Sequence, residues 1–393
     1  MSLRIGLLMH SLNPRGGVVH TLELADALVA RGHDVTVFAA AGPEQKLFRD
    51  CDATLSIAPL GALPKDLVPM VGARMAAMAE HLRQRPDLHS FDVLHSQDSI
   101  TANALATLQS ERSISGFVRT VHHLDVFDHV MLKAWQRRGV QAADMLFCVS
   151  QMWQDVLARD WGLHAHRVGN GVNLKRFTPD RDAEQTQRDQ VWLRQMGVQP
   201  EGPVWLAIGG IEARKNTTRL LQAFAQARQQ CPQAQLVIAG GASLLQHDEE
   251  AQTFHAACEA HGLAKGQPHA DRLCLTGPLP EAALPALYRR ATALAMPSLS
   301  EGFGLVVLEA LACGTPAIAS RRPPFTEHLG EHDVLWTDPL DVTDIARALL
   351  ASLQTQHTAP VLARARQVCE RLSWHSSAAS HESLYLSHLA CHA

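Results

Sequence analysis

Two glutamates stand eight positions apart in the stretch Pro297–Glu309, which reads PSLSEGFGLVVLE. A Gly-Phe-Gly turn separates Glu301 from the apolar run that carries Glu309. If that run is a helix, the turn leaves backbone N–H groups free at its N-terminus, and such groups bind anions. A carboxylate among apolar neighbours is costly unless it accepts hydrogen bonds, so Glu309 is expected to accept them from ligand hydroxyls. An anion-binding turn between two hydroxyl acceptors suits a nucleotide sugar.

Two adjacent cations, Arg214 and Lys215, follow the predicted strand Val204–Gly209. At the carboxyl end of a strand they would face a ligand. A guanidinium fork and a compact ammonium together suit a diphosphate. Fixed cations also stabilise the negative charge that develops on a departing phosphate. The pair is therefore predicted to be catalytic.

Residues of the N-terminal half complete the predicted site. His122 directly follows a predicted strand, and a neutral imidazole can hydrogen-bond a substrate near pH 7. Gly16 and Gly17 would let a loop approach a diphosphate or an acceptor without a Cβ in the way. Asn170 is either a substrate contact or a turn residue between domains.

The elements that must position these residues follow an α/β pattern, in which short β-branched runs alternate with longer amphipathic segments. The predicted strands are Arg4–Met9, Asp34–Ala40, Val93–Ser96, Phe117–Val121, Met145–Val149, Arg167–Val168, Val204–Gly209, Gln235–Ala239, Arg272–Thr276, Ala293–Pro297 and Pro316–Ser320. The predicted helices include Val18–Arg31, Leu67–Gln84, Thr101–Gln109, Thr217–Gln230, Asp248–His261, Ala282–Ala291 and Leu305–Cys313. Val172–Pro179, with the polar stretch 180–189 behind it, is interpreted as a linker.

Composition narrows the function classes. The chain has 393 residues, 46% of them hydrophobic and 19% charged, and this balance is typical of a globular protein of two domains. The formal net charge of −4 argues against broad nucleic-acid binding. No apolar run approaches membrane-spanning length, no secretory signal is predicted, and a cytoplasmic location is expected. The helix predicted over 65–85 mixes basic and apolar residues, which leaves weak peripheral membrane association open.

No metal or cofactor is predicted. The eight cysteines are scattered, and none forms a Cys-x-x-Cys pair. His164 and His166 are spaced like metal ligands, but they lie where a loop enters a strand. The triplet Asp50-Cys-Asp52 imitates the metal motif of a different transferase class and lies outside the predicted donor domain, so it is interpreted as chance.

With these residues in place, the chain resembles glycosyltransferase family 4, the retaining enzymes of the GT-B fold. The similarity rests on Gly16-Gly17 with the helix behind it, Val121-His122-His123, the segments 168–179 and 208–216, and the Glu-x7-Glu spacing of Glu301 and Glu309. One departure is Gly210, where many family members carry arginine.

The resemblance implies two Rossmann-like domains that face each other across a cleft. Residues 1–175 would form the acceptor-side domain, 176–372 the donor domain, and 373–393 a helix that crosses back to the first domain. It also implies a retaining, metal-independent transfer from a nucleotide-diphosphate sugar to a hydroxyl acceptor, by front-face attack. The oligomeric state stays open.

The same resemblance assigns roles to the donor-site residues. Glu309 would hold the ribose hydroxyls, and Glu301 and His122 would contact the transferred sugar. Gly302, Phe303, Gly304 and Leu305 would present backbone N–H groups.

Several alternatives are weighed against this function. A catalytically inactive nucleotide-sugar-binding scaffold and a GT-B-fold sugar-nucleotide epimerase stay open. A glycoside hydrolase is disfavoured because a ribose-binding glutamate behind an anion turn does not flank a scissile bond. A dinucleotide-dependent oxidoreductase is disfavoured because no Gly-x-Gly-x-x-Gly follows a strand.

Overall fold

A computed structural model describes residues 2–241 and 248–392. The chain divides into two compact units. Unit 1 holds residues 1–171 and 373–393, and unit 2 holds residues 172–372. The sequence placed this boundary after residue 175, whereas the division falls after Gly171.

Unit 1 is a parallel sheet of seven strands with helices between them. Its elements are β1 Arg4–Met9, α1 Gly16–Ala30, β2 Asp34–Ala41, β3 Thr54–Pro59, α2 Leu67–Arg83, β4 Val93–Ser96, α3 Ser99–Ser110, β5 Val118–Val121, α4 Val130–Gln141, β6 Met145–Cys148, α5 Gln151–Trp161, β7 Ala165–Arg167 and, from the end of the chain, α14 Trp374–His392. The strand order is β3-β2-β1-β4-β5-β6-β7. After its first residue, Arg4, the central strand β1 is apolar and buried because helices cover both faces of the sheet.

Unit 2 repeats this plan with six parallel strands. Its elements are α6 Ala183–Gln195, β8 Val204–Ile208, α7 Thr217–Ala227, β9 Gln235–Ala239, α8 Asp248–Ala260, β10 Leu273–Gly277, α9 Leu284–Arg290, β11 Ala293–Met296, α10 Leu305–Ala312, β12 Ala317–Ser320, α11 Phe325–His328, β13 Leu335–Thr337, α12 Val342–Ala351 and α13 Thr355–Arg371. The strand order is β10-β9-β8-β11-β12-β13.

Both orders reverse direction next to the first strand of the unit, between β1 and β4 in unit 1 and between β8 and β11 in unit 2. In doubly wound sheets ligands bind beyond the carboxyl ends of the strands at such a switch point. Gly16 and Gln97 lie in the segments that follow β1 and β4, Gly16 as the first residue of α1, and Lys215 and Glu301 lie in the segments that follow β8 and β11. The predicted doubly wound architecture is confirmed, and three of the predicted residues, Gly16, Lys215 and Glu301, follow strands at the switch points.

The polar segment behind the predicted linker is a helix of unit 2. Residues 183–195, whose first part belongs to the polar stretch behind the predicted linker, form α6, which Asp182 caps by accepting from the backbone N–H of Gln185. Asp189 on α6 is buried and pairs with Arg289 at 2.8 Å, so this polar segment packs into unit 2.

Helix α2 packs on the sheet and α3, and its Arg74 is buried, with Nη1 donating to the carbonyl of His10 at 2.9 Å. Arg74 therefore contributes no charge to a membrane-facing surface of α2. No helix of the described residues is long and apolar enough to cross a bilayer.

Candidate functional site

Lys215 and Glu301 form a buried ion pair at the switch point of unit 2. Lys215 Nζ donates to Glu301 Oε1 at 2.7 Å, and the side chains are 12% and 7% exposed. The absence of a side chain at Gly209 makes this path possible, because a Cβ there would lie 2.7 Å from Cε of Lys215. The backbone N–H of Leu299 donates to the carbonyl of Arg214 at 2.8 Å, so the loops after β8 and β11 are joined directly.

Arg214 lies at the solvent side of the same cluster and is half-exposed. Its Nη2 lies 2.8 Å from Oε2 of Glu212, and its Nη1 lies 3.5 Å from Oε2 of Glu301. Glu212 is buried, and sequence analysis assigned no role to it. Two cations therefore face two carboxylates, so the charges that were predicted to meet a diphosphate are held in place by Glu212 and Glu301 before any ligand arrives.

The carboxyl group of Glu301 is ionised in these surroundings. Burial pushes its pKa upward, but the Lys215 ammonium and then the Arg214 guanidinium outweigh burial and hold the pKa below its usual value. A charged, buried acceptor is thus available beside the glycine turn.

The turn before α10 needs glycine for a steric reason. Gly304 has a φ of 93°, and a Cβ at this position would lie 2.3 Å from Cε1 of Phe325. No side chain among the described residues caps the N-terminus of α10, which begins at Leu305. Phe303 buries its ring against His328, with centroids 4.3 Å apart, so only its backbone can face a ligand. Anion binding by the N–H groups of 302–305 stays a prediction.

Glu309 lies on α10 and is buried as predicted, but a protein group already contacts it. The hydroxyl of Tyr288 on α9 donates to Oε2 of Glu309 at 2.6 Å. Burial, and next the charge of Glu309, raise the pKa of Tyr288 well above its ordinary value, so the phenol stays protonated and donates. The sequence did not indicate this partner, which holds one carboxylate oxygen of the predicted ribose-binding residue.

The structure accounts for glycine at position 210, where the family resemblance leads one to expect arginine. Gly210 has a φ of 74°, and a Cβ there would lie 2.8 Å from the carbonyl oxygen of Gly241. The N–H groups of Gly209 and Gly210 both reach the carbonyl of Ala239. This backbone path leaves no room for a side chain at residue 210.

In unit 1, His122 directly follows β5 and is half-buried. Its Nε2 lies 3.1 Å from Oε1 of Gln97, which follows β4. Burial, and then neighbouring basic groups beginning with His123, lower the pKa of His122 to about 3, so the ring is neutral near pH 7. His123 is exposed and lies 3.5 Å from Asp125, consistent with the two rings pointing apart.

Gly16 and Gly17 occupy the first turn of α1, which corrects the prediction that they form a loop. A Cβ at Gly17 would lie 3.6 Å from Cδ2 of His122, whereas one at Gly16 would meet nothing within 4 Å. Of the two glycines, Gly17 is therefore the one that lies close to His122. Asn170 is buried, and its Oδ1 lies 2.9 Å from Nδ1 of His20, so its amide oxygen contacts the protein.

The motifs set aside as metal sites stay outside this geometry. Asp26 accepts from the backbone N–H of Asp52 at 2.8 Å and from Sγ of Cys51, so the Asp-Cys-Asp segment is folded against α1. Across residues 2–241 and 248–392, no three His, Cys, Asp or Glu side chains are grouped to hold a metal ion.

Two family models match the chain, one in each half. Residues 14–176 match "Glycosyltransferase Family 4", and residues 189–367 match "Glycosyl transferases group 1". The chain belongs to this glycosyltransferase family. It is an enzyme of the hexosyltransferase type.

Relatives of this glycosyltransferase span its whole length. D-inositol 3-phosphate glycosyltransferase of Xylanimonas cellulosilytica is 29% identical over 94% of this chain and 91% of its own. Sucrose-phosphate synthase from Thermosynechococcus elongatus has a similar structure, with a TM-score of 0.76, 21% identity, and coverage of 99% and 100% of the two chains. HepE of Anabaena, solved with UDP-glucose, gives a TM-score of 0.74 at 17% identity and covers 97% and 99% of the two chains. These neighbours confirm the GT-B fold.

Within this glycosyltransferase the predicted residues fall into two groups. Unit 2 brings together Arg214, Lys215 and Glu301, and it places Glu309 on the helix that follows. Unit 1 brings together Gly17 and His122. The residues that sequence reasoning missed are the partners of these groups, namely Glu212, Tyr288, Gln97 and His20.

Proposed function

We propose that this glycosyltransferase moves a sugar from a nucleoside-diphosphate sugar to a hydroxyl acceptor, with retention of configuration and without a metal ion. The observation that carries the proposal is the buried Lys215–Glu301 pair, with Arg214 beside it, at the switch point of unit 2. The uncapped N-terminus of α10 follows Glu301 within four residues of sequence. The cations and the free N–H groups suit the diphosphate of such a donor. The ionised carboxylate of Glu301 can accept a hydrogen bond from a hydroxyl group of its sugar.

In the proposed reaction the bond between the anomeric carbon and the β-phosphate oxygen breaks, and the electron pair leaves with the oxygen. Lys215 and Arg214 stabilise the charge that develops there. The acceptor hydroxyl attacks from the face that the phosphate leaves, and its proton passes to the departing phosphate oxygen. Glu301 holds a hydroxyl of the transferred sugar, and Glu309, held by Tyr288, accepts from the ribose.

The proposed acceptor is a polyol or sugar hydroxyl. Support comes from the names of two relatives, an inositol phosphate glycosyltransferase and a sucrose-phosphate synthase. A panel of polyols and sugars, each with and without a phosphate group, tests this class.

The donor is tested first by thermal shift with UDP, GDP, ADP and their hexose conjugates. A stabilising shift with one nucleotide and a larger shift with its sugar are expected, because binding to the folded state alone raises stability. A shift with none of them would contradict the proposed donor class.

Turnover is then measured with the donor that binds. NMR of the product should show the anomeric configuration of the donor, and inversion would contradict the proposed mechanism. Activity should be unchanged in EDTA, whereas loss that added divalent metal restores would contradict metal independence.

A further inference from the structure

Gln97 is the one side chain within hydrogen-bonding distance of the His122 ring among the described residues. Its Oε1 lies 3.1 Å from Nε2 of His122, and the Gln97 side chain is nearly inaccessible, with 3% of the residue exposed. Gln97 is held at its backbone, since its N–H donates to the carbonyl of Leu8 at 2.9 Å. The backbone that carries this amide is therefore held in place at the end of β4.

An amide oxygen can only accept a hydrogen bond, so it selects the form of the ring that carries hydrogen on Nε2. In that neutral form Nδ1 keeps its lone pair and can accept a hydrogen bond. No described residue donates to Nδ1 of His122. The ring thus offers a hydrogen-bond acceptor that the protein leaves unused.

The surroundings oppose the alternative in which the ring is doubly protonated. The basic groups near the ring are the adjacent His123, Arg119 on β5, His95 on β4 and His381 on α14, and His20 on α1 packs its ring edge-on 4.5 Å away. These groups favour a neutral ring, and none supplies the negative charge that would favour imidazolium. The basic groups thus favour a neutral ring, and the Gln97 amide oxygen favours hydrogen on its Nε2.

A further polar atom distinguishes this pair from an ordinary buried contact. Nε2 of Gln97 is buried and has no hydrogen-bond partner among the described residues. Leaving an amide donor unpaired in a protein interior is unfavourable, so such atoms mark places where a ligand or water completes the bonding. Gly17 lies against the same two residues, 4.0 Å from the carbonyl oxygen of Gln97 at its Cβ position, and keeps a side chain out of this space.

We propose that Gln97 is a positioning residue that fixes His122 with hydrogen on Nε2 and so presents Nδ1 as the acceptor for a hydroxyl of the substrate. This role rests on the proposed function, because the hydroxyl belongs to the sugar being transferred or to its acceptor. His122 then orients substrate and takes no part in proton transfer at neutral pH.

The protonation state is measured directly by two-bond 15N–1H NMR of the histidine-labelled enzyme, with His122→Asn to identify the ring among the 22 histidines. The wild type should show hydrogen on Nε2 and a lone pair on Nδ1. Gln97→Leu should shift the ring toward a mixture of the two neutral forms. Hydrogen on Nδ1 in the wild type would overturn the proposal, and so would an unchanged ring in Gln97→Leu.

Kinetics supply the second readout. Gln97→Leu should lower kcat/KM about tenfold, the usual scale for one misplaced hydrogen bond. Gln97→Glu keeps the shape and places a carboxylate against Nε2, which favours imidazolium. Its activity should fall as the pH is lowered through the histidine range of about 8 to 6, because Nδ1 loses its lone pair. A Gln97→Glu profile identical to that of the wild type would count against the role.

The matched control is Gln154→Leu, which removes a second glutamine of unit 1, on α5, whose Nε2 donates to the carbonyl of Ala165. It should leave both the His122 spectrum and kcat/KM unchanged. Failure of this inference is distinguishable from failure of the proposed function. If no donor supports transfer, the proposed function fails while the ring spectrum still reports whether Gln97 fixes the ring.

Discussion

At the residue scale, the donor site depends on charges that neutralise one another before the donor binds. Glu301 holds Lys215 and Arg214 in place, and Glu212 holds Arg214 from the other side. Such an arrangement fixes the cations in position and avoids the cost of burying an unpaired charge. A diphosphate that enters competes for cations that are already oriented.

Lys215→Ala is predicted to lower kcat/KM at least a hundredfold, which corresponds to about 2.7 kcal/mol of lost transition-state stabilisation. The reason is that the buried ammonium is the cation closest to Glu301 and cannot be replaced from solvent. Steady-state kinetics with the identified donor measure the effect. Lys265→Ala, at an exposed lysine of the same unit, is the control and should match the wild type. Wild-type rates in folded Lys215→Ala would remove Lys215 from the site.

The Tyr288→Phe variant tests how much the positioning of Glu309 contributes to donor binding, apart from the direct contact of Glu309 with the donor. The variant keeps the ring and loses only the hydroxyl that donates to Oε2. We expect donor KM to rise about five- to tenfold, in line with one lost hydrogen bond to a charged group, whereas Glu309→Ala should reduce turnover at least a hundredfold. Both are read from donor saturation curves. Equal, small effects in the two variants would contradict a ribose-binding role for Glu309.

Sequence analysis could predict a site residue where the spacing of residues along the chain was itself informative. Glu301, Glu309 and the Arg-Lys pair carry that signal, because a turn and a strand end can be recognised locally. Gln97, Glu212 and Tyr288 could not be predicted in the same way. Gln97 and Tyr288 meet partners more than twenty positions away, and that pairing depends on strand order and side-chain packing.

At the scale of elements, the buried strands and the helices that follow them were the easiest to predict. β1, β4 and β9 have the predicted bounds, and each is buried along nearly its whole length between covering helices. The edge strands β3 and β13 were missed because they are only partly buried, and β13 has only three residues. Helix α6 was missed because its surface is polar and its buried Asp189 looks like a loop residue.

Helices α1 and α14 and strand β4 enclose a histidine cluster whose pKa values are lowered, chiefly by burial. The pKa of His381 falls to about 4, and those of His20 and His95 fall well below the usual value. A histidine with a lowered pKa in the folded state binds its proton more readily when unfolded. The neutral histidine therefore stabilises the folded state at pH values above the unfolded pKa of about 6.5. This stabilisation is lost as the pH falls toward the pKa of the folded state.

We predict that lowering the pH from about 7 to 5 destabilises unit 1 by about 2 kcal/mol for each such histidine. Over this pH range His381→Leu should lose less stability than the wild type, and the difference should be about 2 kcal/mol. Urea unfolding at the two pH values provides the measurement. His375→Leu removes an exposed histidine of the same helix and should keep the wild-type difference. An equal pH effect in wild type and His381→Leu would contradict the assignment.

At the scale of the whole molecule, the end of the chain belongs to the first unit. Tyr385 on α14 is fully buried in the core of unit 1, and its hydroxyl lies 2.6 Å from Nδ1 of His95. Arg31, the residue that follows α1, pairs with Glu382 of α14. Helix α14 therefore packs into the same hydrophobic core as β1 and α1.

Tyr385→Ala is predicted to destabilise unit 1 by about 3–5 kcal/mol, because it removes a large buried ring. Tyr385→Phe should cost only about 1–2 kcal/mol, since it keeps the ring and loses one hydrogen bond. Hydrogen exchange read separately over β1 and β8 distinguishes the two units. Faster exchange in β1 with unchanged β8 is expected, and an effect spread evenly over both strands would contradict it.

The chain passes between the units twice, and the two passages lie side by side. The N–H of Val172 donates to the carbonyl of Leu372 at 3.0 Å, so the first and last residues of unit 2 meet. On the other side a Cβ at Gly171 would lie 2.1 Å from the backbone nitrogen of Trp374, so the cut ends of unit 1 also touch. Unit 2 is in this sense an insert with adjoining termini, the geometry that tolerates excision and circular permutation. We expect residues 172–372 to be expressible alone, and unit 1 to be resealed by a short glycine linker between Gly171 and Ser373.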